Sequence, residues 1–211
     1  ILVCLVGSEM CIRDSLNSIT IALTVGVMTG YIGNFGPNAL AGYGIGARLE
    51  LILTPIIFGI GAALTASVSI NFGSKQFARA RKIAFTGGIV CFLIIGFIGL
   101  FINLFPQFLY QNFSSNPDVI KYCLKYILIV TPFYCLFGFG QAIYFSSQGT
   151  GKMIKPILVG ILRFSCVVLF GYLAVSRNLS IDYVLYSVSI GLIITGVGMF
   201  LCLLGKEWKG L

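Results

Sequence analysis

The sequence predicts an all-α membrane protein with six transmembrane helices, and three observations support this fold class. Hydrophobic residues make up 58% of the chain and charged residues only 9%, whereas a soluble domain carries about 25% charged residues. The apolar residues are grouped into six long stretches that fill almost the whole chain. Basic residues concentrate on every second connection between those stretches. A chain so poor in charge cannot cover its surface with polar groups, so we expect lipid to be its solvent.

Each apolar stretch approaches or exceeds the length of about 20 residues that a spanning helix needs. The predicted spans are residues 16–32, 39–72, 83–105, 119–147, 156–175 and 183–204. The second span has 34 residues and would measure about 51 Å as a helix, so it must tilt, bend or protrude from the bilayer. Pro55 gives this span a place to bend, and Pro132 interrupts the fourth span.

The first fifteen residues are expected not to belong to the native protein. The string LVGSEMCIRDS at residues 5–15 matches the translation of a transposon-end adapter used in sequencing libraries. We therefore expect residues 1–15 to be an adapter artefact, residues 16–209 to form the native domain, and the true start to be missing. The alternative is a genuine N-terminus or a short signal peptide, but no basic segment precedes the apolar run.

The basic residues predict the orientation of the chain. Eight of them fall on one side of the expected membrane and three on the other, and the more basic side faces the cytoplasm in multi-spanning proteins. We expect a multi-pass protein of the cell (inner or plasma) membrane with a cytoplasmic C-terminus. The first group is Lys75, Arg79, Arg81, Lys82, Lys152, Lys155, Lys206 and Lys209, and the second is Lys121, Lys125 and Arg177.

Four strings on the predicted spans and loops carry a family resemblance. They are GPNALAGYGIGARLE, SVSINFGSKQFARARK, LFPQFLYQNFSSNPDVIKYCLKYILI and QGTGKMIKP, in this order. The sequence resembles the C-terminal half of a multidrug and toxic compound extrusion (MATE) transporter. This resemblance implies one lobe of a two-lobe, twelve-helix protein that binds substrate between the lobes and exports it against inward H⁺ or Na⁺. The missing N-terminal lobe is then a partner, and the coupling ion takes the place of a cofactor.

The resemblance also bears on the coupling site. In some branches of the family, acidic residues on the seventh and tenth helices couple transport to the ion. The corresponding positions here lie near Thr24 and Gly138, and neither residue is acidic. This departure favours the branch whose coupling aspartate lies in the N-terminal lobe.

Glu50 is the acidic residue inside a predicted span, about 16 Å along its helix. An ionisable group at membrane depth is a functional candidate by default. The competing interpretation is structural pairing with a basic residue. Arg48 is two positions away and on a different face of the helix, so Arg163 is the better partner if the two helices meet. Arg163 could equally extend its side chain to the cytoplasmic headgroups.

Other polar residues at membrane depth are candidates for the substrate or ion pathway. Gln141 and Tyr144 are the best of them, because they follow Pro132 and the glycines of the fourth span. Asn17 and Thr24 on the first span complete the candidate set with Glu50 and Arg163. Polar side chains in a helix bundle also hydrogen-bond between helices, and that role stays open for each of them.

Several kinds of chemistry are disfavoured by the composition. The chain has no histidine, and its cysteines are scattered without a C-x-x-C motif, so we expect neither a metal site nor a cofactor. Absence of histidine and of paired carboxylates also argues against a membrane-embedded enzyme. The basic residues flank hydrophobic spans, so we expect membrane lipid and a small organic substrate as partners, and no nucleic acid.

The preferred function is secondary active efflux of organic cations and other xenobiotics, as part of a longer protein with alternating access. A lipid-linked sugar flippase of the same superfamily is an alternative, because flippases have comparable charges. A six-helix structural membrane subunit is another, and it would require the N-terminus to be genuine.

Overall fold

A computed structural model describes residues 2–107, 113, 115–205 and 208, and describes side chains from Asn17 onward. The described elements are helical. They are α1 (Leu2–Gly33), α2 (Pro37–Gly73), α3 (Phe77–Leu104), α4 (Pro117–Val130), a 3₁₀ turn (Thr131–Phe133), α5 (Tyr134–Thr150), α6 (Ile154–Ser176) and α7 (Ile181–Leu204).

The helices confirm the predicted all-α membrane fold. Five helical segments in the described part of the chain are long and apolar enough to cross a membrane, with α4, the 3₁₀ turn and α5 counted as one. The apolar helix at Asn17–Gly33 is shorter. Large apolar side chains are exposed on α2 and α3, as at Leu51, Ile70 and Phe97, each about 70% exposed. This is the surface expected of helices that face lipid.

The fourth span is interrupted where Pro132 was expected to interrupt it. The chain passes through the 3₁₀ turn at Thr131–Phe133 between α4 and α5. The Asn103 side chain of α3 forms hydrogen bonds with oxygen atoms around this break. Its amide donates to Thr131 Oγ1 (3.2 Å) and to the Ile127 carbonyl (3.4 Å). Such partners are what a helix break inside a membrane requires. Pro55, in contrast, lies within α2, which is helical from Pro37 to Gly73.

Helix α5 forms the interior of the bundle. It packs against α2, α3 and α7, and every residue from Phe137 to Ser147 is buried. Helix α1 packs mainly against α6, with a smaller contact to α2. This arrangement leaves a space between α1, α2 and α5.

Glycines allow the closest helix contacts. A Cβ atom on Gly42 of α2 would lie 2.6 Å from Tyr122 Cβ and 2.8 Å from the Val119 carbonyl oxygen of α4. Likewise, a Cβ on Gly149 would lie 2.6 Å from the Thr65 carbonyl oxygen. A Cβ on Gly44, by contrast, would meet no atom within 4 Å, so Gly44 has no role in helix packing.

The two ends of the bundle differ in charge. Lys125 of α4 and Asp182, at the beginning of α7, form an ion pair (2.8 Å). At the opposite end, Lys75, Arg79 and Arg81 line one pocket with the buried Trp208. The structure therefore gathers at one end basic residues that the sequence assigns to the same side of the membrane.

Gly42→Ala is expected to destabilise the bundle, and Gly59→Ala on the same helix is not. The new methyl group at position 42 must push α4 away from α2, at a cost of about 1–3 kcal/mol. Gly59 has open space around its Cβ position, so there alanine contributes only its better helix propensity, about 1 kcal/mol. The midpoints of thermal unfolding in detergent should therefore move in opposite directions. A Gly42→Ala variant as stable as the parent would contradict the close contact.

Candidate functional site

The space between α1, α2 and α5 is a cavity of about 530 Å³. All three helices contribute to its lining, which is mainly apolar. The polar side chains in it are Asn17, Ser18, Arg48, Glu50, Thr54 and Gln141. A wider groove of about 720 Å³ runs along α3, but its lining is apolar apart from Cys135. The cavity that contains Glu50 is therefore the better candidate for specific binding.

Glu50 is held by a chain of tyrosines. The Tyr126 hydroxyl of α4 donates a hydrogen bond to Glu50 Oε1 (2.8 Å), and the hydroxyl oxygens of Tyr126 and Tyr134 are 3.1 Å apart. Because Tyr126 gives its one proton to Glu50, Tyr134 is the donor in the second bond. The two tyrosines are 1% and 0% exposed. The carboxylate thus has an ordered partner on its core side, and it also lines the cavity.

The local sequence of α2 explains how Tyr126 reaches Glu50. Gly46 precedes Glu50 by four residues, so both lie on the same face of the helix. A Cβ atom on Gly46 would overlap the Tyr126 ring. The ring therefore occupies the space that the missing side chain leaves, and Tyr43 packs against it edge-on with centroids 5.7 Å apart. In the string GYGIGARLE, the G-x-x-x-E spacing places Gly46 one helical turn before Glu50. The glycine leaves room for the tyrosine ring, and the glutamate accepts the hydrogen bond from its hydroxyl.

Arg163 of α6 lies near Glu50 without pairing with it. Both residues line a small cavity of about 30 Å³ together with Thr24. Within the described part of the chain, no ion pair of 4.0 Å or less joins Glu50 to Arg163, and Arg163 Nε has no hydrogen-bond partner. The side chain is only 7% exposed, so it does not extend to the surface as one interpretation of the sequence proposed. Across the contact with α7, the Cβ position of Gly191 is 3.4 Å from Arg163 Cγ.

The remaining sequence candidates divide between two places. Asn17 and Gln141 line the main cavity with Glu50. Thr24 lies in the small cavity and donates to the Thr20 carbonyl (2.6 Å). Tyr144 is apart from Glu50: it lines a separate cavity of about 50 Å³ with Asn17, between α1 and α6. Asn17 therefore faces both spaces.

Tyr126 and Tyr134 were not among the sequence candidates. They are eight residues apart on either side of Pro132, and a shared face could not be read across a helix break. One signal in the sequence could have identified them: a tyrosine in an apolar span that packs against a glycine-rich helix. Its buried hydroxyl needs a hydrogen-bond partner. A search for acceptors on the facing helix would have led to Glu50.

Three comparisons with known proteins bear on this site. A family model described as MatE matches residues 15–173. The "Probable multidrug resistance protein YoeA" of Bacillus subtilis is 21% identical over 147 residues, which cover 70% of this chain and 32% of that protein. The "Probable multidrug resistance protein NorM" of Thermotoga maritima is 27% identical over 124 residues, which cover 59% of this chain and 27% of that protein.

Solved structures share the fold. The Vibrio cholerae MATE transporter VcmN in its bent form superimposes with a TM-score of 0.83 at 16% sequence identity. The superposition covers 95% of this chain and 46% of that chain. The chain thus spans less than half of this solved structure and about a third or less of the two curated relatives.

Tyr126→Phe is expected to lower stability more than Tyr122→Phe does. The first change removes the donor to Glu50 and the acceptor of Tyr134, at a cost of about 1 kcal/mol for a hydrogen bond between membrane helices. Tyr122 is on the same helix, and its hydroxyl bonds to no described residue, which makes it a matched control. Thermal unfolding in detergent should show a midpoint lower by about 2–4 °C for the first variant only. Equal midpoints would mean that the Glu50–Tyr126 bond contributes nothing.

Proposed function

This chain belongs to the MatE family, and from that premise we propose that it forms one six-helix lobe of a two-lobe secondary transporter. The transporter exports small amphipathic organic compounds, organic cations and other xenobiotics among them, by antiport with H⁺ or Na⁺. The observation that carries the proposal is a cavity at membrane depth that is walled on one side by α1, α2 and α5 and contains a carboxylate. Alternating access then moves this lobe against the other around the bound substrate.

The exposure of the cavity wall supports a second lobe. Leu51 and Phe58 line the cavity, yet they are 70% and 54% exposed. The polar groups of Asn17, Glu50 and Gln141 lie in the same cavity as these apolar side chains. Lipid tails cannot form hydrogen bonds with those groups, so we do not expect lipid alone to cover this face. A second lobe placed over this face would turn the open cavity into a binding site between two lobes. The names of the curated relatives suggest multidrug resistance as the physiological role.

Glu50 has the chemistry that antiport needs. A carboxylate can bind a proton, a sodium ion or a cationic substrate, but these ligands exclude one another at one site. Exchange follows if the ion displaces the substrate on one side of the membrane and the substrate displaces the ion on the other. We assign Gln141 and Asn17 to hydrogen bonding of the substrate, and Thr24 and Arg163 to the surroundings of Glu50. Tyr144 lines a small cavity with Asn17, at the edge of the proposed substrate pathway.

The coupling ion can also bind outside this chain. The positions near Thr24 and Gly138 lack carboxylates, so an aspartate of the other lobe is the second candidate for coupling. In that case Glu50 recognises substrate only. The orientation proposed with this function places the C-terminus and the basic end of the bundle in the cytoplasm, by the excess of basic residues there.

Glu50→Gln in the complete transporter is expected to reduce efflux of a fluorescent organic cation by about tenfold or more, because it removes the charged partner of the substrate or ion. The assay uses inside-out vesicles with an imposed H⁺ or Na⁺ gradient, which also identifies the ion. Asp182→Asn is the matched control, since it removes one carboxylate at the end of the bundle, far from the cavity. Unchanged efflux in Glu50→Gln, with normal expression, would exclude a transport role for this carboxylate.

The 211-residue chain in liposomes is expected not to transport, because the second wall of the cavity is absent. Sequencing of the source DNA upstream of the codon for Leu16 should reveal a further coding region for six helices. Co-expression of that region with the chain should restore efflux. Transport by the chain alone down an imposed ion gradient would overturn the two-lobe proposal.

A further inference from the structure

The pocket at the basic end of the bundle has a volume of about 540 Å³ and shares no lining residue with the cavity that contains Glu50. Its lining comes from the turn between α2 and α3, the first turns of α3, and Trp208. Three of the lining residues are cationic, namely Lys75, Arg79 and Arg81, and none of the described residues in the lining is acidic. Like charges gathered around one concave surface favour an anionic ligand.

The turn geometry brings the cations together. Lys75 has a left-handed backbone (φ 61°), and the next amide, Gln76 N, donates back to the Asn71 carbonyl of α2 (2.9 Å). This tight reversal places Lys75 beside the beginning of α3, where Arg79 and Arg81 follow. Arg79 reaches Gln76 Oε1 only at 3.5 Å. The side chains of Lys75 and Arg81 make no hydrogen bond or ion pair with any described residue, so their charge is available to a ligand.

Trp208 contributes an aromatic side chain to the lining of the pocket. Trp208 is 3% exposed although it belongs to the C-terminal segment beyond α7. It packs in one cluster with Ala80 and Ala84 of α3 and Leu203 of α7. Tryptophan at the end of a spanning segment is typical of the boundary between hydrocarbon and headgroups. The pocket therefore lies at headgroup level if α3 and α7 cross the membrane.

An apolar strip continues from the pocket along the bundle. Phe85 follows Arg81 by one helical turn and so lies on the same face of α3. Its ring is 6.5 Å from that of Phe200 on α7, and the two side chains are 40% and 39% exposed. A cationic pocket joined to an exposed aromatic strip fits a ligand that is anionic at one end and apolar along the rest.

We propose that this pocket binds the headgroup of an anionic phospholipid, with an acyl chain along Phe85 and Phe200. Arg79 and Arg81 would donate paired N–H groups to the phosphate oxygens, and Lys75 would add a third charge from the turn. Basic pockets at the ends of spanning helices are suited to such headgroups. Free inorganic phosphate shares the phosphate chemistry, but it would gain nothing from the aromatic strip. The bound lipid would link the α2–α3 turn to Trp208, independently of any transport role.

Native mass spectrometry of the 211-residue chain in detergent tests the proposal with dioleoylphosphatidylglycerol and dioleoylphosphatidylcholine. The parent chain is expected to bind the anionic lipid in preference. Arg79→Gln/Arg81→Gln should weaken that binding by about 30-fold. Lys121→Gln/Arg177→Gln removes two charges at the opposite end of the bundle and should change it by less than about twofold. Equal binding by both double variants, or equal affinity for the two lipids, would overturn the site.

Two further experiments distinguish binding of the lipid from binding of free phosphate and provide for a variant that misfolds. Phe85→Ser should weaken lipid binding and leave any competition by inorganic phosphate unchanged. If phosphate displaces the lipid at low millimolar concentration and Phe85→Ser has no effect, the pocket is a site for free anions and the lipid proposal fails. If the double arginine variant does not fold, Lys75→Gln at the exposed turn replaces it, with weaker binding expected and unchanged binding as the contrary result.

Discussion

The contact between Tyr126 and one face of α2 is the interaction on which the candidate site depends. Gly42 and Gly46 bring α4 against α2, and the Tyr126 ring fills the space beside Gly46. Its hydroxyl then lies 2.8 Å from Glu50. If either glycine carried a side chain, α4 would move away, and Glu50 would lose the donor that orients it. The packing of α4 on α2 and the hydrogen bonding of Glu50 therefore depend on the same side chain, because the Tyr126 ring provides the contact area and its hydroxyl provides the hydrogen bond.

The membrane constraint explains why the fourth span is both the most interrupted and the most enclosed. A proline in lipid leaves backbone oxygens that only protein or water can satisfy. The break at Thr131–Phe133 has Asn103 beside it, and α5 beyond the break is surrounded by α2, α3 and α7. The outer helices α2, α3 and α6 expose apolar side chains instead. The helix that follows the break therefore lies inside the bundle, and the outer helices present apolar side chains to the lipid.

Charge is distributed according to depth. At the two ends, some charged groups pair, as Lys125 does with Asp182, and others line an open pocket, as Lys75 and Arg81 do. At membrane depth, Glu50 accepts from Tyr126 and shares the main cavity with Arg48, while Arg163 is buried next to the small cavity with its Nε unbonded. An isolated charged side chain in hydrocarbon is energetically costly, so a charged residue at membrane depth indicates either a function or an interaction partner. The proposed exporter uses Glu50 for function, and the proposed lipid site uses the cations at the end.

Composition and hydropathy were enough to predict the fold class and the approximate spans, because a helix in lipid must satisfy its own backbone and cross a fixed thickness. The family was indicated separately, by the resemblance of four strings such as GPNALAGYGIGARLE. Depth along a helix also indicated Glu50, Asn17 and Gln141, which the structure brings to one cavity. The contacts between side chains of different helices, in contrast, could not be predicted before the packing of the helices was known. The tertiary structure placed Tyr126 and Tyr134 behind Glu50, separated Tyr144 from it and left Arg163 unpaired. The physical reason is that the pattern of one helix gives its apolar face but not its rotation and distance relative to its neighbours, which depend on how ring volumes and missing side chains fit together.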